Sequence, residues 1–301
     1  IMSIKKSIKE IYENKYKLLL IIPFLLLIFS VIQIGVQYQQ TGDFVNKGVS
    51  LKGGSTVTIP TNMLESQSDA LELALLNSAD FANADISVRS LSAAGSTTAI
   101  VVESSLQEGD VLDSLLDEIE GQTTVDQDTF SVEITGSSLG ESFFTQTMIA
   151  LVVAFLLMGL VVLIYFRTPI PSFAVILAAA SDIVCTLAIF NLTGQKLTTA
   201  GIAALLMLIG YSVDTDILVT TKLLKRHGAS VMNRVYDAMK TGMTMTGTTL
   251  IVITITMFLV KSDTVKQIML ILFIGLAVDL IMTWIQNVGI LRMYLEKKSK
   301  K

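Results

Sequence analysis

Side chains that usually carry chemistry are scarce in this chain: one cysteine, one histidine, one tryptophan and four prolines in 301 residues. Cys185 lies in an apolar run, where no intrachain disulfide is possible and no redox compartment can be inferred. It reads as a small core residue. His227 sits in a basic loop, so no clustered His/Cys set suggests zinc or iron. HExxH is absent as well. Lys52-Gly53-Gly54-Ser55 fails as a phosphate loop, because its lysine precedes the glycines and a strand pattern follows where a helix is needed. No cofactor, enzymatic reaction or nucleic-acid partner is expected. Charge is also sparse: 16% of residues are charged against 51% hydrophobic, with a mean hydropathy of +0.64. That balance is too apolar for an ordinary water-soluble chain of this length and implies an integral membrane protein.

Six apolar runs are long enough to cross a hydrocarbon core of about 30 Å as helices of about 20 residues. They fall near 18–37, 143–166, 171–191, 197–221, 239–260 and 265–291. The first is too long for the apolar core of a signal peptide and ends in Ile34-Gly35-Val36-Gln37-Tyr38, with no small-residue cleavage site, so a retained helix is expected. Basic residues set the orientation. With residues 1–17 inside, sixteen of the twenty-two Lys and Arg residues fall on that side, including Arg167, the 222–240 cluster and the tail at 292–301. The expected topology is a multi-pass cell-membrane protein with both termini cytoplasmic and one large segment, 38–142, outside.

That segment holds seventeen acidic residues against three basic ones. Its acidity suits a solvated face, or alternatively an electrostatic surface for partner loops or unfolded chain. Its periodicities alternate: strand at 53–60, amphipathic helix at 63–79, strands at 85–93 and 96–104 about a Gly95 turn, helix at 106–121, strand at 128–136. The order β-α-β-β-α-β predicts a ferredoxin-like α+β domain. The fold class expected is an α-helical bundle of six transmembrane helices (18–37 and those within 143–291) carrying that domain.

The intramembrane acids remain. Asp182, Asp214, Asp216 and Asp279 all fall within expected spans, where a carboxylate costs about 2.5–3.5 kcal/mol even on the lenient insertion scale. They are expected to face the bundle interior or a water-filled cavity. At about 100° per residue, Asp214 and Asp216 point about 160° apart and cannot serve one site equally. Asp214 shares its face with Gly210, Met207 and Ala203, a small-residue stripe that admits a neighbouring helix. Asp216 shares a polar stripe with Ser212 and Thr220, and no Lys or Arg lies deep enough in the spans to pair with either. Threonines at 241, 244, 246, 248 and 249 around Gly242 and Gly247 read as helix-packing residues. Because desolvation favours the neutral form of a carboxyl group, such acids suit proton uptake and release.

The sequences "SLGESFF", "YFRTPIPSFAVILAAASD", "LTTAGIAALLMLIGYSVDTDIL" and "GMTMTGTTLIV", with the KGG of 52–54, resemble the archaeal-type SecF family of the SecD/SecF group, half-transporters of RND type. That resemblance implies an accessory subunit of protein export or membrane insertion. Its partners would be SecD, the Sec translocon channel, translocating polypeptide and the lipid bilayer, and proton flow would supply the drive. Bacterial SecF carries Asn-Asp-Thr where this chain has Asp214-Thr215-Asp216, and SecD carries Val-Asp-Ala-Asn. By this match Asp214 is the principal proton-coupling candidate, with Asp216, Asp182 and Asp279 in support. The arginine that enters the fifth span in bacterial SecF matches Thr241, with Lys240 beside it. Two other readings stay open: an RND transporter for a lipid or drug, and a passive membrane chaperone or scaffold.

Overall fold

The structure is a computed structural model that describes residues 10–60, 65–78, 81, 84, 86–93, 96–107, 109–123, 125, 127–225, 230–260 and 262–299. His227 and Gly95 lie outside the described residues. Among the described residues, six helices are long and apolar enough to span a membrane. The first, α1 (Tyr16–Thr41), leads to a short helical turn, α2 (Val49–Lys52). The small domain then runs β1 (Gly54–Pro60), α3 (Glu65–Asn77), β2 (Ile86–Ala93), β3 (Ser96–Ser104), α4 (Asp110–Thr123) and β4 (Ser131–Thr135). Five more long segments follow: α5 (Ser137–Phe166), α6 (Pro169–Leu192), α7 (Thr199–Lys225), α8 (Val231–Leu259) and α9 (Asp263–Ile281). The last continues through a wide turn, Met282–Asn287, into α10 (Val288–Ser299).

The sheet order is β2-β3-β1-β4 with every neighbour antiparallel, the ferredoxin-like arrangement that the element order predicts. Alternation explains it. Val57 and Ile59 on β1 and Ile100 and Val102 on β3 share one face, where they meet Leu71 and Leu75 of α3 and Leu112, Leu115 and Ile119 of α4. Spacings of two in the strands and of three and four in the helices bring all nine onto one buried core.

The KGG segment turns out to be a junction. Gly53 and Gly54 have φ of +89° and +144°, and a Cβ on Gly53 would stand 2.5 Å from Ser137 Cα. A Cβ on Gly140 would meet the Gly53 amide at 2.7 Å. These glycines let the entry to β1 lie directly on the first turn of α5, so the domain sits on the bundle by backbone contact.

In the bundle, α6 and α7 are the central helices. More than half of each span's most apolar window is buried (56%), against 17% for α1, α5 and α8. The exposed faces of α1 and α5, with Leu25, Ile32, Leu156, Leu160 and Ile164 among them, are the apolar surfaces expected toward lipid. Ser230 caps α8, its hydroxyl accepting from the Asn233 amide at 3.2 Å, which starts that helix before the apolar run at 239.

Candidate functional site

Three of the four acids of the apolar spans meet between α6, α7 and α9. Asp216 of α7 and Asp279 of α9 are fully buried and Asp182 of α6 nearly so. Their contacts are specific. Ser212, one turn before Asp216, donates to Asp182. The Thr283 hydroxyl lies 2.9 Å from Asp216 Oδ1 and 3.0 Å from Asp279 Oδ1. Asn287 Nδ2 donates to Asp216 Oδ1 at 2.7 Å, and Gln286 Nε2 donates to Ser181 Oγ at 3.2 Å. One oxygen of each acid, Asp182 Oδ1, Asp216 Oδ2 and Asp279 Oδ2, has no hydrogen-bond partner among the described residues. Every donor to the cluster among those residues is a hydroxyl or an amide, and none is a cation.

Local sequence explains the convergence. Ser212, Asp216 and Thr220 are spaced by four and form one buried stripe on α7. Asp279, Thr283, Gln286 and Asn287 follow at spacings of four, three and one, which places them on one side of the last span. That second stripe was legible as spacing, but its amides and hydroxyl do not draw the eye in a sequence as an aspartate does. Among the described residues no group of three His, Cys, Asp or Glu side chains is placed to hold a metal ion.

Asp214 corrects the expectation that all four acids face inward. It is exposed on the surface of this chain, on a stripe with Ala203, Met207 and Gly210, because a rotation of about 200° separates it from the buried Asp216. A Cβ on Gly210 would meet nothing within 4 Å. Lys240 and Thr241 are also exposed, the latter accepting a hydrogen bond from Lys222 Nζ at 2.6 Å. The structure therefore separates the site candidates into a buried set, Asp182, Ser212, Asp216 and Asp279, and an outward set, Gly210, Asp214, Lys240 and Thr241. Thr246 is the buried member of the threonine run on α8, and Gly242 receives the ring of Trp284.

A second feature lies where the small domain meets the bundle. A cleft of about 760 Å³ opens between α3 and β2 on one side and the α6–α7 connection, α8 and α9 on the other. Ser87, Ser90 and Glu103 line one wall, and Lys196, Lys266 and Gln267 the other.

Six helices apolar and long enough to cross a membrane, carrying a ferredoxin-like α/β domain and burying acids between α6, α7 and α9, define a multi-span membrane protein with an appended α/β domain. Residues 116–297 match the family model described as protein export membrane protein SecD/SecF, C-terminal. A protein-export membrane protein SecF from Pyrococcus furiosus is 34% identical over 302 residues, covering 99% of this chain and 97% of the relative. One from Methanocaldococcus jannaschii is 36% identical over 299 residues, covering 95% and 98%. The chain belongs to the SecD/SecF family. Among solved structures, the translocon-associated membrane protein SecDF of Thermus thermophilus shares the fold with a TM-score of 0.71 at 20% identity. The match covers 94% of this chain but 38% of that one, so this chain spans well under half of the SecDF polypeptide.

Proposed function

We propose that this chain is the SecF-type subunit of a protein-export machinery in the cell membrane, acting with a SecD-type partner beside the Sec translocation channel. Full-length similarity to proteins named protein-export membrane protein SecF supports the export role. In this reading both termini face the cytoplasm, and the α/β domain stands outside, where translocating polypeptide emerges. The cleft beside β2 is where that polypeptide would pass closest to the bundle.

Coupling to ion flow rests on one observation: the Asp182–Asp216–Asp279 cluster, three buried carboxyls served, among the described residues, by neutral donors alone. Burying an ionised carboxylate costs several kcal/mol even after relaxation, and three together repel one another. The cluster therefore answers to protons. Uptake of a proton relieves the repulsion, loss restores it, and each change alters which hydrogen bonds α6, α7 and α9 can keep. A proton crossing the membrane releases about 2.3 kcal/mol per 100 mV, enough to bias helices poised between two arrangements. Asp214 takes a different role, at the surface where α7 meets the partner's helices. A carboxylate exposed at that depth requires a polar neighbour, and the small residues around it allow close approach.

The test is export of a slowly secreted protein in cells whose only copy carries Asp216→Asn, with abundance of this subunit and recovery of its partner measured in the same membranes. Lost export at normal abundance and normal pairing is expected. Export at the wild-type rate would leave the cluster as helix packing and the subunit as a passive scaffold.

A further inference from the structure

The wide turn Met282–Asn287 is the one break in the helical ladder of the last span, and it stands beside the carboxyl cluster. Such π-type turns accommodate one extra residue within an α-helix and occur frequently at functional sites. Here the break can be read in the backbone. The Val288 amide reaches the carbonyls of Thr283 and Ile285, and so leaves Trp284, four residues before it, without its ordinary helical donor. The Tyr12 hydroxyl fills that place, donating to the Trp284 carbonyl at 2.8 Å from the far end of the chain.

Tyr12 is held there firmly. Arg292 donates through its two terminal nitrogens to the carbonyls of Tyr12 and Glu13, each at 2.8 Å, and its guanidinium lies 4.0 Å from the centre of the Tyr16 ring. Burial keeps the Tyr12 phenol above its ordinary pKa, with Arg292 opposing only in part, so the hydroxyl remains a donor. On its other side the same turn carries Thr283 and Asn287, both of which donate to Asp216. One turn thus touches the carboxyl cluster and the N-terminal segment at once.

We propose that this turn is a two-state register element, and that Tyr12 is a positioning residue acting through it on Asp216. In the wide state, with Tyr12 seated, Thr283 and Asn287 are held on Asp216. In the narrow state the Val288 amide returns to the Trp284 carbonyl and displaces the Tyr12 hydroxyl. Taking up the extra residue turns the helix beyond it by about 100°, which carries Asn287 off Asp216. Rearrangement at the cluster is thereby transmitted to the N-terminal segment and to α10.

Trp284 is the only tryptophan in the chain and lies within the turn, so its emission reports the register directly. The experiment uses the full-length protein in lipid nanodiscs, comparing wild type, Tyr12→Phe and a deletion of Ile285, the least buried residue of the turn. Deleting one residue fixes the turn in the narrow hydrogen-bond pattern with the helix beyond it left in its wild-type orientation, and so gives the reference emission for Trp284 in a narrow turn. The expected result is that Tyr12→Phe shifts Trp284 emission toward that of the deletion variant and speeds amide exchange across 283–292 at least tenfold. If Tyr12→Phe loosens only residues 10–14 while Trp284 emission stays that of wild type, the positioning role is refuted. A deletion variant with wild-type emission and exchange would refute the two-state turn. Should the deletion variant not accumulate, the Tyr12→Phe comparison decides by itself. None of these readouts needs an export assay, so failure here leaves the export reading intact.

Discussion

Gly242→Ala tests the packing that seats the last span against α8. A Cβ at 242 would stand 2.4 Å from Cζ2 and 2.9 Å from Cη2 of Trp284, where carbon atoms settle at about 3.5–4.0 Å. The indole must therefore retreat by about 1 Å inside a cluster with Val219, Leu223, Val235 and Ala238. Overpacking of this kind costs about 1–3 kcal/mol, while alanine in place of glycine in a helix interior returns about 1 kcal/mol. The net expectation is a loss of up to about 2 kcal/mol. Trp284→Phe removes the two carbons at fault, so in that background Gly242→Ala becomes stabilising by about 1 kcal/mol, the propensity gain alone. A double-mutant cycle followed by circular dichroism during denaturation in micelles isolates the difference, about 1–3 kcal/mol of coupling. If Gly242→Ala were equally stabilising in both backgrounds, the Trp284 ring would not lie on Gly242 and the seating described for the wide turn would be wrong.

Three further outcomes follow from the same geometry. Gly210→Leu meets open space on this chain, so its own fold is expected to persist with a small gain in helix propensity, while recovery of a SecD-type partner from membranes falls sharply. Wild-type recovery would show that the Asp214 stripe is not that interface. Gly54→Ala puts a Cβ 2.1 Å from the Ser104 carbonyl oxygen in a backbone conformation that itself costs about 1–3 kcal/mol; rapid proteolysis within 54–135 with the helical bundle intact is expected, and unchanged resistance contradicts the β1–β3 register. Arg292→Ala frees the Tyr12 and Glu13 carbonyls together, and amide exchange across residues 10–16 should rise by more than tenfold. An unchanged exchange rate would mean that those contacts do not hold the segment.

What the sequence made legible follows from which patterns are local. Six long apolar runs declare themselves, because a helix in lipid must be apolar over about 20 consecutive residues. The small domain was equally readable, since each strand and helix carries its own period and the order β-α-β-β-α-β admits few topologies. The separation of Asp214 from Asp216 also follows from helical geometry alone. Which of the two turns inward does not, because both stripes of α7 are polar or small and the choice is made by what α6 and α9 present. Those partners are distant in sequence: Asp182 precedes Asp216 by 34 positions, and Asn287 follows it by 71. The wide turn left no local signature either. It is stabilised by a tyrosine hydroxyl 272 residues away, a contact that no window of sequence contains.

The central claim is that the buried cluster couples export to protons. The most direct measurement imposes a pH gradient of either sign on membrane vesicles holding an arrested export intermediate and follows its completion, with wild-type subunit or with Asp216→Asn. The expectation is that a gradient acid on the face carrying the α/β domain speeds completion in wild-type vesicles and the reversed gradient does not, while neither has any effect in Asp216→Asn vesicles containing equal amounts of subunit and partner. An equal response in both would contradict it.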